Sequence, residues 1–130
     1  MKKFNIIVSA LFMPLLALAQ SVTSPNGNVS VTFSLSEKGQ PTHEMSYKGK
    51  TVCKPSHLGL ELAKDKHASK GMEETDLMDG FKVTNTKTSS FDETWTPVWG
   101  ETSTIRNNYN EMAVNLHQPS SDRDITIRFR

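Results

Sequence analysis

Apolar and polar residues alternate along several short stretches of this chain. The clearest alternation covers 29–35, and its apolar members are Val29, Val31, Phe33 and Leu35. A period of two places successive side chains on opposite faces of a β-strand, so one face is buried and the other is solvated. Turn-forming residues surround this strand, at 24–28 before it and at 37–41 after it.

The same alternation returns further along the chain. Met45 and Tyr47 continue it on a returning strand, and a second turn at 48–50 implies a third hairpin-linked segment. Three leucines, at 58, 60 and 62, predict another strand. The residues 63–78 are polar without a clear period, and we interpret them as a long loop that Asp79 and Gly80 end.

The second half of the chain repeats this organisation. Phe81 and Val83 begin a threonine-rich strand, and Phe91 is assigned to the next one. Two further alternations flank a turn at 119–122; their apolar members are Met112, Val114 and Leu116, then Ile125, Ile127 and Phe129. No stretch has the period of an amphipathic helix. Short strands separated by turns predict an all-β fold, an antiparallel β-sandwich.

The amino terminus has the pattern of an export signal. Lys2 and Lys3 precede a mostly apolar stretch at 4–18, and Ala17-Leu18-Ala19 ends in two small residues before Gln20. This is the organisation of a secretory signal peptide; an uncleaved anchor is the rival interpretation, but the stretch is short for a bilayer span. We predict a signal peptide at 1–19, a sandwich domain at 20–130, and a periplasmic or secreted protein.

Charge and cysteine content exclude several classes of function. The formal net charge is +1, and loss of the two leader lysines leaves a charge of −1. A nearly neutral chain offers no electrostatic case for binding nucleic acid, or a membrane after leader cleavage. The single Cys53 excludes an internal disulfide.

The carboxyl end also carries a prediction. The alternation at 124–130 stops without a closing turn. An unfinished strand leaves a free edge, so we expect the domain to continue beyond Arg130. The alternative is that this stretch is the last edge strand of a complete sheet.

No catalytic or metal-binding residue is assigned. The four histidines, His43, His57, His67 and His117, lack the spacing of paired metal ligands, and no phosphate-binding loop or serine elbow occurs. A Cys53–His57 pair is one reading, but a structural thiol is preferred. The acidic residues of 73–79 are interpreted as a solvated charge run. The sequence gives no distances among these residues, Asp92, Glu93 and Glu101, so no pair of them is assigned as the two carboxylates of a glycosidase.

The densest group of chemically distinctive residues lies between 91 and 111. Both tryptophans are here, followed by arginine, asparagine and tyrosine. The candidate substrate-binding or domain-interface residues are Trp95, Trp99, Glu101, Arg106, Asn107 and Tyr109. Aromatic faces and polar side chains suit a sugar, but large aromatics more often pack, so an anchor for a loop or interface is the preferred interpretation.

These residues also carry a resemblance. Phe-Asp-Glu-Thr-Trp-Thr-Pro-Val-Trp-Gly-Glu at 91–101 and Ile-Arg-Asn-Asn-Tyr-Asn-Glu-Met-Ala-Val at 105–114 closely resemble the amino-terminal domain of family 97 glycoside hydrolases, which include Bacteroides-type α-glucosidases and α-galactosidases. The segments 23–28, 54–62 and 122–130 are similar to the same domain. The region 63–78 departs from the family because it is shorter and more polar.

The resemblance implies a galactose-mutarotase-like β-super-sandwich, of which this chain is the first part. In that family the sandwich packs on a catalytic (β/α)8 barrel, which supplies the catalytic acids and uses calcium. No position here matches those acids or calcium ligands. The resemblance therefore implies that any carbohydrate, an α-glucan or α-galactoside, is bound through a longer parent enzyme, with calcium as that enzyme's cofactor.

The sequence and the resemblance leave three possible functions for this chain. The chain is the amino-terminal fragment of a secreted α-glycoside hydrolase that supports the absent barrel, a stand-alone carbohydrate-binding module, or a structural interaction domain. Sugar binding by the isolated chain separates the second from the other two, and the length of the complete protein separates the first from the third.

Overall fold

The computed structural model describes residues 19–63 and 76–130. The predicted signal peptide, apart from Ala19, and most of the predicted loop at 63–78 lie outside these residues. Within the described part of the chain every regular element is a β-strand. The all-β prediction is therefore confirmed.

Two antiparallel sheets make up the fold. The first sheet has four strands in chain order: β1 (Gln20–Thr23), β2 (Val29–Leu35), β3 (Pro41–Tyr47) and β4 (Lys50–His57). The second sheet has three, also in chain order: β5 (Lys82–Trp95), β6 (Ile105–Gln118) and β7 (Arg123–Phe129). The predicted turns at 24–28 and 119–122 lie between consecutive strands, as expected, and the one at 48–50 ends on Lys50, the first residue of β4.

Two strand predictions are wrong. Residues 58–62 form no strand; only Leu60 pairs there, in an isolated bridge with Leu77 that uses the N–H and C=O groups of both residues. Leu60 and Leu62 are exposed, because no neighbouring strand covers them. Phe91 belongs to β5 itself and not to a following strand, since neither glycine nor proline interrupts 82–95. The short strand β1 was not predicted.

The core lies between the sheets. It is formed by Phe33 of the first sheet, by Leu77 and Phe81 from the connection, and by Met112, Val114 and Leu116 of β6. The ring centroids of Phe33 and Phe129 lie 6.0 Å apart at 50°, a tilted contact that joins β2 to β7. The alternating apolar residues of β6 and β7, together with Phe33 and Leu35 of β2, therefore form or pack against the core.

Backbone contacts hold the connection between the sheets against the turn between β2 and β3. The Gly80 N–H donates to the Lys38 carbonyl at 2.9 Å, and the Phe81 N–H donates to the Gly39 carbonyl at 3.0 Å. Gly39 has a φ of +72°, and a Cβ at this position would lie 2.6 Å from the Phe81 carbonyl oxygen. Only glycine satisfies both the left-handed backbone and this close approach.

Gln118 fixes the other side of the same connection. Its side chain is 2% exposed. Its Nε2 group donates to the carbonyls of Asp76 at 2.9 Å and Asp79 at 2.8 Å, and its Oε1 atom accepts from Ser121 Oγ at 2.5 Å. A buried amide whose donors and acceptor are all used stabilises the segment that covers the end of the core.

The β5–β6 hairpin is longer than the rest of the sandwich. Both strands have 14 residues, whereas β7 pairs only with the 112–118 half of β6. We call residues 90–95 and 105–110, which pair with no third strand among the described residues, the arm. Residues 91–95 and 105–108 are all exposed. The arm therefore carries side chains out of the sandwich, and it contains most of the candidate functional residues.

Candidate functional site

The register of the arm separates its side chains into two faces. Phe91 pairs with Tyr109, Glu93 with Asn107, and Trp95 with Ile105. Strand alternation places these pairs on one face, and the pairs Ser90–Asn110, Asp92–Asn108 and Thr94–Arg106 on the other. Asn110 Nδ2 donates to the Thr23 carbonyl at 2.7 Å, so the second face is the inner one, directed toward the first sheet.

The six candidate residues therefore do not form one constellation. Trp95, Asn107 and Tyr109 lie on the outer face, whereas Arg106 lies on the inner face. Trp99 and Glu101 lie in the connection at 96–104, where both are exposed. Spacing in the sequence could not show this separation, because it depends on the pairing of β5 with β6.

The Tyr109 ring on β6 contacts an aromatic ring of β5 and the arginine that follows β7. Its ring centroid lies 5.4 Å from that of Phe91, with 27° between the planes. From the β7 side the Arg130 guanidinium lies 5.4 Å from the same centroid. Contacts from β5 and from beyond β7 therefore reach the Tyr109 ring from the two sides of β6.

Arg106 is held by an acidic partner on the inner face. Its Nε donates to Asp92 Oδ1 at 2.9 Å and its Nη2 donates to Asp92 Oδ2 at 2.7 Å. This forked geometry is the strong form of an arginine–carboxylate pair. The hydrogen bonds from Arg106 lower the pKa of Asp92, and those to Asp92 raise the pKa of Arg106. Arg106 is therefore a structural cross-strand clamp in this arm.

The end of the arm exposes apolar side chains. Trp99 and Val98 are each 89% exposed, Trp95 is 47% exposed and Ile105 is 37% exposed. These four residues, which we call the tip, include Val98 and Trp99, which are more exposed than any other large apolar residue of the described ranges. Exposed apolar residues that are contiguous, and not scattered singly, mark interaction sites.

A second apolar feature follows the free edge of β7. A groove of about 360 Å³ runs between this strand and residues 58–60, the segment that contains the isolated Leu60–Leu77 bridge. It is lined by Leu58, Gly59, Leu60, Ile125, Thr126, Ile127 and Arg128. The edge backbone of β7 and this groove together offer space for an additional extended segment.

The structure does not form the Cys53–His57 pair. Cys53 Sγ lies 3.8 Å from His43 Nε2 and 3.7 Å from Ser56 Oγ, while His57 Nδ1 lies 3.2 Å from Thr42 Oγ1.

The acidic residues Glu73 and Glu74 lie outside the described residues. Across 19–63 and 76–130, no three histidine, cysteine or acidic side chains converge on one point. The described residues therefore do not fit a calcium site. No helix in this part of the chain is long and apolar enough to cross a membrane.

Sequence reasoning missed one polar cluster. The buried Glu111 carboxylate accepts from Arg128 Nη1 at 2.6 Å through one oxygen and lies 3.0 Å from Arg130 Nε through the other. The only signal in the sequence is that Arg128 and Arg130 alternate with apolar residues, which places them on the outer face of β7. Their common partner, Glu111 on β6, is identified only once the pairing register of β6 and β7 is known.

Comparisons with known proteins agree with this architecture. The family model described as glycosyl-hydrolase 97 N-terminal matches residues 22–130. A family 97 enzyme from Pseudoalteromonas sp. strain K8, solved in complex with panose and with acarbose, is 28% identical, with a TM-score of 0.69. The match covers 85% of this chain and 15% of that chain.

A β-arabinopyranosidase has the same fold, with a TM-score of 0.68 at 19% identity. There the match covers 85% of this chain and 16% of that one. The present chain thus spans about one sixth of the length of the solved structures it matches. The extent of the family match across both sheets shows that the chain belongs to glycoside hydrolase family 97, as its amino-terminal domain.

Proposed function

We propose that this chain is the amino-terminal sandwich of an exported, α-glucosidase-like family 97 hydrolase, and that it packs on and supports a catalytic (β/α)8 barrel outside the present sequence. Family membership supports the parent enzyme class. The complexes of the related enzyme with panose and acarbose favour an α-glucoside as its substrate. The leader-like residues 1–19 favour export to the periplasm or beyond.

The observation that carries the packing proposal is the exposure of the tip. Trp95, Val98, Trp99 and Ile105 lie at the end of the arm, away from the core between the sheets. Burying large apolar side chains against a partner stabilises an assembly, and tryptophan is enriched among the residues that contribute most. The groove beside β7 adds a second surface, which a further segment of the sandwich would cover.

The catalytic acids and the calcium ion belong to the barrel in this proposal. The chain itself contributes a rigid support: the Asp92–Arg106 pair holds the arm, and the arm presents the tip. No reaction step is assigned to residues of this chain.

The test uses the complete protein encoded by the longer reading frame. We expect a barrel-length continuation and hydrolysis of panose. We expect Trp99→Ala to weaken domain docking by about 2 kcal/mol, the size typical of an interface hot spot. Calorimetry measures this as a melting transition that becomes lower or divides into two. Val52→Ala is the matched control, because Val52 is an exposed apolar residue on β4 of the other sheet.

A protein that ends at Arg130, or one that continues without hydrolysing any α-glycoside, would contradict the proposal. Equal melting of the Trp99 and Val52 variants would contradict the packing surface alone.

A stand-alone carbohydrate-binding module is the second candidate, because the side chains of Trp95 and Trp99 are accessible. It predicts binding of malto-oligosaccharides by the purified mature chain, with loss of binding in Trp95→Ala or Trp99→Ala. Isothermal titration without heat for α-glucans and α-galactosides would exclude it. A structural interaction domain is the remaining alternative; it predicts neither sugar binding nor a barrel in the complete protein.

A further inference from the structure

The outer face of the second sheet carries two arginines whose guanidinium groups are held by one buried carboxylate. The Glu111 side chain is 11% exposed, and each of its oxygens is engaged by a different arginine, Arg128 or Arg130. Both arginine side chains are more than half exposed. Each guanidinium has five N–H groups, so most donors of the pair remain available above the anchoring carboxylate.

Lys87 adds a third cation to this surface. It pairs with Ala113, which pairs on its other side with Arg128, so the three residues form one row across β5, β6 and β7. Two strand separations place Lys87 and Arg128 roughly 10 Å apart at the backbone. Lys87 is exposed, and it has no ion-pair partner among residues 19–63 and 76–130.

The charge immediately around Glu111 is unbalanced. Asp124, also on the outer face, is four residues along β7 from Arg128 and contacts His117 at 2.9 Å. Lys87, Arg128 and Arg130 carry three positive charges, and the single negative charge of Glu111 lies beneath them. Glu93, on the same face, is opposite Asn107, which is four residues and about 13 Å along β6 from Glu111. The Phe91–Tyr109 stack lies between Glu93 and the cations, so Glu93 does not neutralise them.

We propose that Lys87, Arg128 and Arg130 form a docking site for an acidic segment of the polypeptide that completes the enzyme. This inference rests on the proposed function and specifies the chemistry of the partner. Glu111 restricts the two guanidinium groups before binding, which reduces the entropy lost when they pair with partner carboxylates. Related chains are more than six times longer than the matched region, so most of the polypeptide available as a partner lies outside this domain.

The aromatic stack favours a polypeptide over an acidic sugar. The Tyr109 ring, whose face a sugar ring could otherwise stack on, already contacts Phe91 and Arg130. Carboxylate side chains need no such face, because they pair directly with the exposed N–H groups. The cations also share the outer face with Trp95 and Ile105 of the tip, so one partner surface can contact both.

The test compares Lys87→Glu with Lys50→Glu in the complete enzyme. Lys50 is an exposed lysine on β4, in the other sheet. We expect Lys87→Glu to lower the melting temperature of the coupled domain transition by about 3 °C, and Lys50→Glu to leave it unchanged. About 0.5 M NaCl should lower the wild-type transition and reduce the difference between wild type and Lys87→Glu. Circular dichroism checks that both variants keep the sandwich.

Each other outcome overturns the inference. If Trp99→Ala weakens docking while Lys87→Glu and salt do not, the proposed function stands and the acidic partner does not. If Trp99→Ala also has no effect, both fail. If Lys87→Glu abolishes retention of the enzyme on immobilised polygalacturonate without changing the melting, the cations bind an acidic sugar and not a polypeptide.

Discussion

The two halves of the β5–β6 hairpin have the same backbone pairing but different surroundings. In the half beside β7, Met112, Val114 and Leu116 are almost completely buried. In the arm, the apolar residues Phe91, Trp95 and Ile105 lie instead on the outer face of the hairpin, and they remain exposed. Regular pairing therefore extends beyond the region that has an opposing sheet. Burial, and with it the hydrophobic contribution to stability, depends on the second layer and not on the strand pattern.

The largest test of this comparison exchanges one phenylalanine in each region for alanine. Phe33 is 1% exposed in the core, whereas Phe91 is 41% exposed on the arm. Phe33→Ala should lower the free energy of unfolding by about 4 kcal/mol, because it removes buried contacts and leaves a cavity; Phe91→Ala should lower it by about 1 kcal/mol. Urea denaturation followed by circular dichroism measures both, and equal losses would show that the arm is already buried.

A second comparison separates backbone strain from close packing within the body of the sandwich. Gly39 and Gly27 both have a φ of +72°, but a Cβ meets the Phe81 backbone at Gly39 and nothing within 4 Å at Gly27. Gly27→Ala should destabilise by roughly 1 kcal/mol from the left-handed backbone, and Gly39→Ala by roughly 3 kcal/mol from strain plus the clash. Equal destabilisation in thermal unfolding would mean that the Gly39–Phe81 contact relaxes without cost.

The third test concerns the polar contacts that attach the connection to the body. Gln118→Ala removes the donors to the Asp76 and Asp79 carbonyls and the acceptor for the buried Ser121 hydroxyl. We expect a loss of about 2 kcal/mol. Gln40→Ala, which removes a less buried glutamine in the turn between β2 and β3, should change stability by less than about 0.5 kcal/mol. Similar values for the two variants would show that Gln118 does not hold the connection.

These regions also differ in how far the sequence predicts them. Strands such as β2 follow from strict alternation, because their turns and their buried face are both visible in the residue pattern. Leu58, Leu60 and Leu62 have the same pattern and form no strand, since a strand also needs a partner and only Leu77 pairs there. The pattern also does not show that 82–95 is one continuous strand, because Phe91 is exposed and its neighbours are polar.

The candidate site shows the same limit. The sequence identifies the aromatic and polar residues between 91 and 111, but their spacing does not say which face each one occupies. Arg106 and Asn107 are neighbours in the chain and lie on opposite faces of the arm. The Glu111 cluster depends on residues 17 and 19 positions apart meeting across β6 and β7. Only the register of the sheet brings them together.

The smallest expected effect lies in the arm, where Arg106 lowers the pKa of Asp92 below its ordinary value of 3.8. Because this pKa is lower in the folded arm than in the unfolded chain, the pair stabilises the arm above pH 3.8 and loses that contribution as the pH falls through the folded value. Arg106→Gln should raise the pKa of Asp92 back toward its ordinary value. Lys82→Gln, a change at the other end of the same hairpin, should leave that pKa unchanged. An NMR titration of the Asp92 carboxyl measures the shift. Since both side chains are more than half exposed, solvent screening should confine the effect to the arm and leave the melting of the body unchanged. If acid instead melts the whole sandwich through Asp92, the arm and the body unfold as one unit, and the contrast between them does not hold.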